Sequence, residues 1–159
     1  MSIERVKAYF EGYGMADRVL ELPVSSATVE LAAAALGCEG CRIAKTLSFL
    51  VDGATVLIVA AGDARVDNGK YKTFFHTKAR MLSPEEAMAL VGHAVGGVCP
   101  FAVNEGVSTY LDVSLQRFET VFPACGSSNS AIELTLPELE RFSRARGWVD
   151  VCKGWRSAD

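Results

Sequence analysis

Ile43-Ala44-Lys45-Thr46-Leu47-Ser48-Phe49-Leu50-Val51-Asp52-Gly53-Ala54-Thr55-Val56-Leu57-Ile58-Val59-Ala60-Ala61 is the stretch that decides the fold. Both halves are rich in Val, Leu and Ile, residues that suit a buried pleated strand. Asp52-Gly53 between them matches a type I′ turn, where both central residues need φ > 0. The stretch therefore reads as two antiparallel strands, 43–51 and 54–61. Lys45 is its odd member, because lysine is seldom found among so many apolar neighbours. If its side chain points outward, it is an ordinary solvated residue. If it points into a cleft, it is a fixed cation available to an anion or a polarised ligand. The residues alone leave both readings open.

On the N-terminal side, Ile3, Val6, Lys7 and Phe10 predict an amphipathic helix behind Ser2, ending near Gly12 or Gly14. Arg18 to Val24 alternates as a short strand would. Thr28 to Leu36 reads as an alanine-rich helix, with Ser25 or Ser26 placed to cap it and Gly37 to stop it. On the C-terminal side, Gly62-Asp63 ends the second strand, 67–76 predicts a short helix, and 79–82 a brief strand. Ser83-Pro84-Glu85-Glu86 holds a serine cap, a proline at the first helical position and a glutamate to close a capping box. That helix should run to about Val91. A glycine-rich loop follows over 92–101. Strands are expected over 109–113, 119–124 and 131–136, with a polar loop at 126–130. Thr135-Leu136-Pro137-Glu138 opens a helix by the same capping logic, Gly147 ends it, and 148–151 form a last strand. Irregular alternation around an obligatory hairpin predicts an α/β (α+β) fold: a mixed, curved or barrel-like sheet with helices around it, in one domain over 1–159.

With 159 residues, half of them hydrophobic and 22% charged, the chain can bury a sizeable core and is not a disordered one. A net charge of −3 argues against strong non-specific attachment to nucleic acid, and DNA is not an expected partner. Two local basic clusters stand against that balance: Arg65, Lys70, Lys72, Lys78 and Arg80, and then Arg141, Arg144, Arg146, Lys153 and Arg156. Each alone reads most simply as a solvated face. No run approaches the ~18 apolar residues of a membrane span, so no membrane partner is expected. The five cysteines show no disulfide-scaffold spacing, and a reducing cytoplasm is the simplest compartment.

Two loops join Lys45 as candidate chemistry. In Gly96-Gly97-Val98-Cys99-Pro100-Phe101 the glycines permit close approach of a ligand to the backbone, although a tight turn would use the same residues. Gly126-Ser127-Ser128-Asn129-Ser130 offers hydroxyls, an amide and backbone N–H groups, but lacks the Gly-Lys-Ser/Thr ending of a P-loop. Cys38-Glu39-Gly40-Cys41 is a single CxxC, short of the four ligands zinc normally takes, so no metal or other cofactor is expected. Cys99 is a nucleophile candidate, yet neither His76 nor His93 stands in a recognisable base position relative to it. No GxSxG marks a serine triad.

Three segments, in order, resemble the YbaK/ProX family, relatives of the editing domain inserted in bacterial prolyl-tRNA synthetases. They are Ile43-Ala44-Lys45-Thr46-Leu47, Gly96-Gly97-Val98-Cys99-Pro100-Phe101, and Gly126-Ser127-Ser128-Asn129-Ser130-Ala131-Ile132-Glu133-Leu134. Ala33-Ala34-Ala35-Leu36-Gly37 and Asp112 are lesser matches. The likeness covers nearly the whole chain, and its joint order and spacing are more specific than any one motif.

The resemblance implies hydrolysis, in trans, of the ester joining a wrong small amino acid to tRNA, with tRNA-Pro the expected carrier. The mischarged acceptor end would be the partner, and an aminoacyl-tRNA synthetase a candidate second one. Lys45 matches the family's signature lysine, and Gly96 and Pro100 its GxxxP loop. Lys45, Gly96 and Gly97 would then act at the ester: the lysine as a cation, the glycine backbone as oxyanion donors. Thr28, Pro100, Phe101, Gly126, Ser128 and Asn129 complete the expected substrate-binding set. The cysteine-clearing branch carries an aspartate where Ala131 stands, and the alanine-clearing branch a histidine near this loop that is absent here. Two rival readings are a non-catalytic module that binds aminoacyl-tRNA or a synthetase, and a Schiff-base enzyme using Lys45 as nucleophile.

Overall fold

The structure is a computed structural model that describes residues 2–156. The predicted hairpin is its centre. Strand β2 (Ile43–Val51) pairs antiparallel with β3 (Ala54–Ala61) over eight residue pairs, from Ala44↔Ala61 to Val51↔Ala54. Asp52 and Gly53 take φ values of 47° and 82°, as the type I′ turn demands. From Val56 to Ala61, β3 is almost wholly buried. A continuous apolar run suits a strand covered on both faces.

Four shorter strands extend the pair into a six-stranded mixed sheet. These are β5 (Ser108–Asp112), β6 (Thr120–Pro123), β8 (Leu134–Thr135) and β9 (Trp148–Val149), in the order β8-β6-β2-β3-β5-β9. β6 runs parallel to β2, β5 parallel to β3, and β9 parallel to β5, while β8 is antiparallel to β6. The sheet curls into a half-barrel. Two small ribbons complete the strands: β1 (Leu20–Glu21) with β7 (Ser130–Ala131), and β4 (Arg65–Val66) with β10 (Cys152–Lys153). The expected mixed, curved sheet with surrounding helices is the fold observed.

The helices are short and locally encoded. α1 (Ser2–Glu11) buries Val6 and Phe10, and the Phe10 ring meets Phe101 and Phe142 edge-on at 4.9 and 5.5 Å. α2 (Val29–Leu36) ends on Gly37, whose φ of 68° is the left-handed stop. Its cap is Thr28, which accepts from Leu31 N at 3.1 Å, and not Ser25 or Ser26. Those two serines instead bond locally or to Ser128 O. α3 (Asn68–Phe75) packs Tyr71 and Phe75 against Phe49 and Tyr110. The capping box at Ser83 forms, and α4 (Pro84–Glu86) continues as one π-helical turn over 87–91.

Three expectations need correction. The strand expected over 18–24 shrinks to β1, because a 3₁₀ turn occupies 16–18 and its strand partner among the described residues is the two-residue β7. The strand foreseen over 131–136 splits, with β7 turning to β1 and β8 to β6, while Ile132 N bonds Pro123 O between them. The last helix, α5 (Leu136–Phe142), stops well before Gly147, because Arg144 turns left-handed at φ 53°.

α5 is tied to the N-terminal segment by an ion pair. Arg18 reaches Glu138 at 2.8 and 3.1 Å, and Glu138 also closes the capping box at Thr135. The Arg18 bonds, aided by the Thr135 N–H, hold the Glu138 carboxyl at about 2 against an ordinary 4.5. Its folded-state value lies below the unfolded one. The stabilisation is therefore complete above pH 4.5 and is lost as pH falls through about 2. Arg18→Met should flatten the loss of stability across that window, measured by urea unfolding at stepped pH. Equal acid dependence in the two proteins would contradict this account.

Candidate functional site

Beneath the curled sheet lies a cleft of about 320 Å³, walled by four parts of the chain. The lead-in and first turn of α2 supply Ser26, Ala27, Thr28 and Val29, and β2 supplies Ile43 through Ser48. The glycine loop supplies Gly96 and Val98, and Phe122, Ala124, Ser130 and Ala131 close the far side. Met81 and Val95 stand at the lining too, and both are well exposed.

Lys45 lines this cleft and is half-buried, so it is not an ordinary solvated surface residue. Its ammonium donates to the carbonyls of Ala64 and, at 3.4 Å, Gly62. Those acceptors lie just beyond β3 because Gly62 has no side chain: a Cβ there would run into Gly40 O. Burial lowers the Lys45 pKa, while the charges of Cys152, Asp63 and Glu30 oppose that shift. Among the described residues no carboxylate forms an ion pair with it.

The remaining expected site residues divide into two groups. Thr28 and Gly96 line the cleft. Gly96 has φ 93°, so its conformation calls for glycine, and its N–H has no partner among the described residues. Ser128 is exposed at the same mouth, its Cβ 3.6 Å from where a Cβ on Gly96 would stand.

The others hold the walls together. Gly97 N is bonded to Ala94 O at 3.0 Å, and a Cβ on Gly97 would lie 2.7 Å from Gly126 C and Ser127 N. That absence lets the two loops touch. Gly126 in turn admits the Ser2 backbone, at 2.8 Å from a notional Cβ. Asn129 gives both polar ends to the protein: its Oδ1 accepts from Ser127 Oγ at 3.0 Å and its Nδ2 donates to Leu22 O at 3.1 Å. Phe101 is fully buried against Phe10, and Pro100 lines a different cavity.

Cys99 is not a nucleophile in this arrangement. The fold brings His93 to it, with Nε2 3.6 Å from Sγ, a pairing that spacing alone did not disclose. Yet both side chains are sealed from solvent. His93 Nε2 sits 2.8 Å from Phe101 O, so that nitrogen carries the proton. Burial pushes the Cys99 thiol up to about 12 and pulls the His93 pKa down. Thiolate is the reactive form, and this site disfavours it. The described residues hold no cluster of metal-ligating side chains.

Sequence reasoning missed much of the cleft wall. Thr46 lines it, and its buried hydroxyl has no partner among the described residues. Alternation along β2 places Thr46 and Ser48 on one face and Lys45 and Leu47 on the other. The strand expected over 79–82 is only an isolated bridge of Met81 to Phe49, and Phe122 lies on β6; both reach β2 only through the tertiary fold.

The family described as the aminoacyl-tRNA editing domain matches residues 24–142, a span that holds the whole lining of this cleft. The chain belongs to that family. It is 54% identical over 156 residues to the uncharacterized protein YwhH of Bacillus subtilis (strain 168), covering 98% of this chain and 99% of that one. It is 34% identical over 126 residues to a proline–tRNA ligase of Solidesulfovibrio magneticus, covering 78% of this chain. The chain spans only 21% of that ligase's length. A solved structure described as a candidate trans-editing enzyme for prolyl-tRNA synthetase superposes with a TM-score of 0.86 at 33% identity, over 96% of this chain and 98% of that one. No helix among the described residues is long and apolar enough to cross a membrane.

The placement of the cysteines has a direct consequence. Cys38 and Cys41 are partly exposed, whereas Cys99, Cys125 and Cys152 are buried. Iodoacetamide at mildly alkaline pH should label the first two in the native protein and the other three only after unfolding, as read by peptide mass spectrometry. Native labelling of Cys99 would overturn its assignment to the core.

Proposed function

We propose that this chain is a trans-acting aminoacyl-tRNA deacylase, hydrolysing the ester of a mischarged small amino acid on tRNA, with tRNA-Pro as the carrier. The observation that carries the reading is Lys45: a half-buried cation without a carboxylate partner, lining one cleft with the unpartnered N–H of Gly96. Membership of the editing family supports the reaction class, and the likeness to prolyl-tRNA ligases supports the carrier.

The chemistry available in the cleft is narrow. None of the described lining side chains is a carboxylate or an imidazole, so in this reading no side chain acts as general base. Water attacks the ester carbonyl, and the bond to the ribose oxygen breaks. The proton lost by the water passes to the departing alkoxide, with the neighbouring ribose hydroxyl as the relay. Lys45 holds the anionic 3′ end of the nucleic acid. Gly96 N–H faces the oxygen on which negative charge develops; one such donor is worth roughly 3–4 kcal/mol. The amino acid side chain rests among Ile43, Leu47, Phe122 and Ala131. Apolar walls discriminate by only ~1–3 kcal/mol per methylene, so rejection of larger residues is steric.

A panel of alanyl-, cysteinyl- and seryl-tRNA tests the reading. Wild-type protein should release at least one amino acid, and Lys45→Ala should lower that rate by roughly 10- to 100-fold, as expected for losing a charge-assisted contact worth about 1.5–3 kcal/mol. Saturable tRNA binding without release would favour the non-catalytic module instead. Equal rates for the lysine variant would remove Lys45 from the mechanism.

A further inference from the structure

The C-terminal arginines form a second surface that the cleft does not use. α5 ends in a Schellman motif: Ala145 N bonds Glu140 O, and Arg144 N bonds Arg141 O. The left-handed position of such a motif usually belongs to glycine, yet here it is Arg144, at φ 53°. A non-glycine residue held there is strained, and such strain concentrates at functional positions. The conformation lays the Arg144 guanidinium over the Tyr9 ring at 5.7 Å. Arg141 lies over Tyr13 at 5.2 Å, and the two tyrosine rings meet at 5.5 Å.

Arg146 follows, bonded to Ser108 Oγ at 3.0 Å. All three arginines are exposed, and none forms an ion pair with a described residue. Stacking orients the Arg141 and Arg144 guanidinium planes, with Arg144 also bonded to the Tyr9 and Tyr13 hydroxyls, and exposed guanidinium groups held in this way suit phosphate. Opposing charge nearby comes from Glu105 and from Glu140, the latter accepting from Trp148 Nε1 at 3.0 Å.

This surface adjoins the cleft. A second cavity of about 300 Å³ is lined by Tyr9, Arg144 and Pro100. The glycine loop therefore separates the two cavities, giving Val98 to the cleft and Pro100 to the arginine side. Those two residues are at most about 7 Å apart.

We propose that Arg141, Arg144 and Arg146 bind successive phosphates of an RNA strand whose 3′ end enters the cleft. The proposal rests on reading the cleft as an aminoacyl-tRNA site. It also explains how a chain of net charge −3 holds a polyanion: attraction is concentrated on one face.

Uncharged tRNA is the probe, with binding followed by fluorescence anisotropy from 50 to about 200 mM salt. Arg144→Gly is the informative variant, because glycine suits the left-handed position and the melting temperature should not fall. Combined with Arg141→Gln, it should weaken tRNA binding by roughly tenfold and reduce the slope of log K against log salt by about 1.5. Unchanged affinity and slope would overturn the proposal, as would absence of any tRNA binding by the wild type. Loss of binding to polyglutamate with tRNA binding intact would assign the face to an acidic protein and overturn it equally. Deacylation is scored in parallel. Arginine-dependent tRNA binding without ester cleavage sinks the deacylase reading and sustains this one, whereas cleavage with arginine-independent binding does the reverse.

Discussion

The register of the β2–β3 pair is the constraint on which the rest depends. Side chains alternate between faces along a strand, so a slip of one residue would carry Lys45 to the opposite face of β2. The two-residue turn at Asp52-Gly53 sets that register, since both residues hold the positive φ that a type I′ turn needs. Burial of β3 from Val56 to Ala61 reinforces it, because no shifted pairing would cover the same apolar run. With Lys45 opposite Ala60, its ammonium reaches the carbonyls just beyond the end of β3.

Around this pair, glycines act more by admitting backbone than by offering it to a ligand. Gly62 lets Gly40 approach, Gly97 lets the 126–130 loop approach, and Gly126 lets α1 approach. The two motif loops are thereby fastened to each other and to the N-terminus. Arg5 adds a clasp at the base of the glycine loop, bonding Ala102 O at 2.6 Å and Gly92 O at 3.4 Å. Gly96 keeps an unpaired N–H among the described residues, while the contacts of Gly97 hold the loop in place. Rigid support behind a free donor is what the proposed oxyanion site would require.

What was legible in the sequence was what is locally encoded. The hairpin announced itself through its turn, and the capping boxes at Ser83 and Thr135 through residues three apart. The cleft's partners were legible only as motifs, since Lys45 and Gly96 are brought together by the sheet. Asn129 and Phe101 show the limit: their motif positions were visible, but their bonds to Leu22 and contacts with Phe10 depend on distant chain. The division of 130–135 into two strands was hidden because each half answers to a different partner, β1 or β6. Arg144 was hidden for the opposite reason. Gly147 is the helix stop that the sequence suggests, and an arginine carries no signal for a left-handed turn.

A cleft whose described lining holds one cation and no carboxylate or imidazole is restricted in what it can cleave. An amide leaving group needs a proton from the enzyme, and no lining side chain here can give one readily. Lys45 is already committed to two carbonyls, and its part in the proposed chemistry is electrostatic. An ester whose alcohol carries its own vicinal hydroxyl brings the proton relay with it, and positioning then supplies most of what remains of the barrier. On the proposed reading, selectivity for an aminoacyl ester on ribose would follow from what the site lacks as much as from the apolar walls that line it.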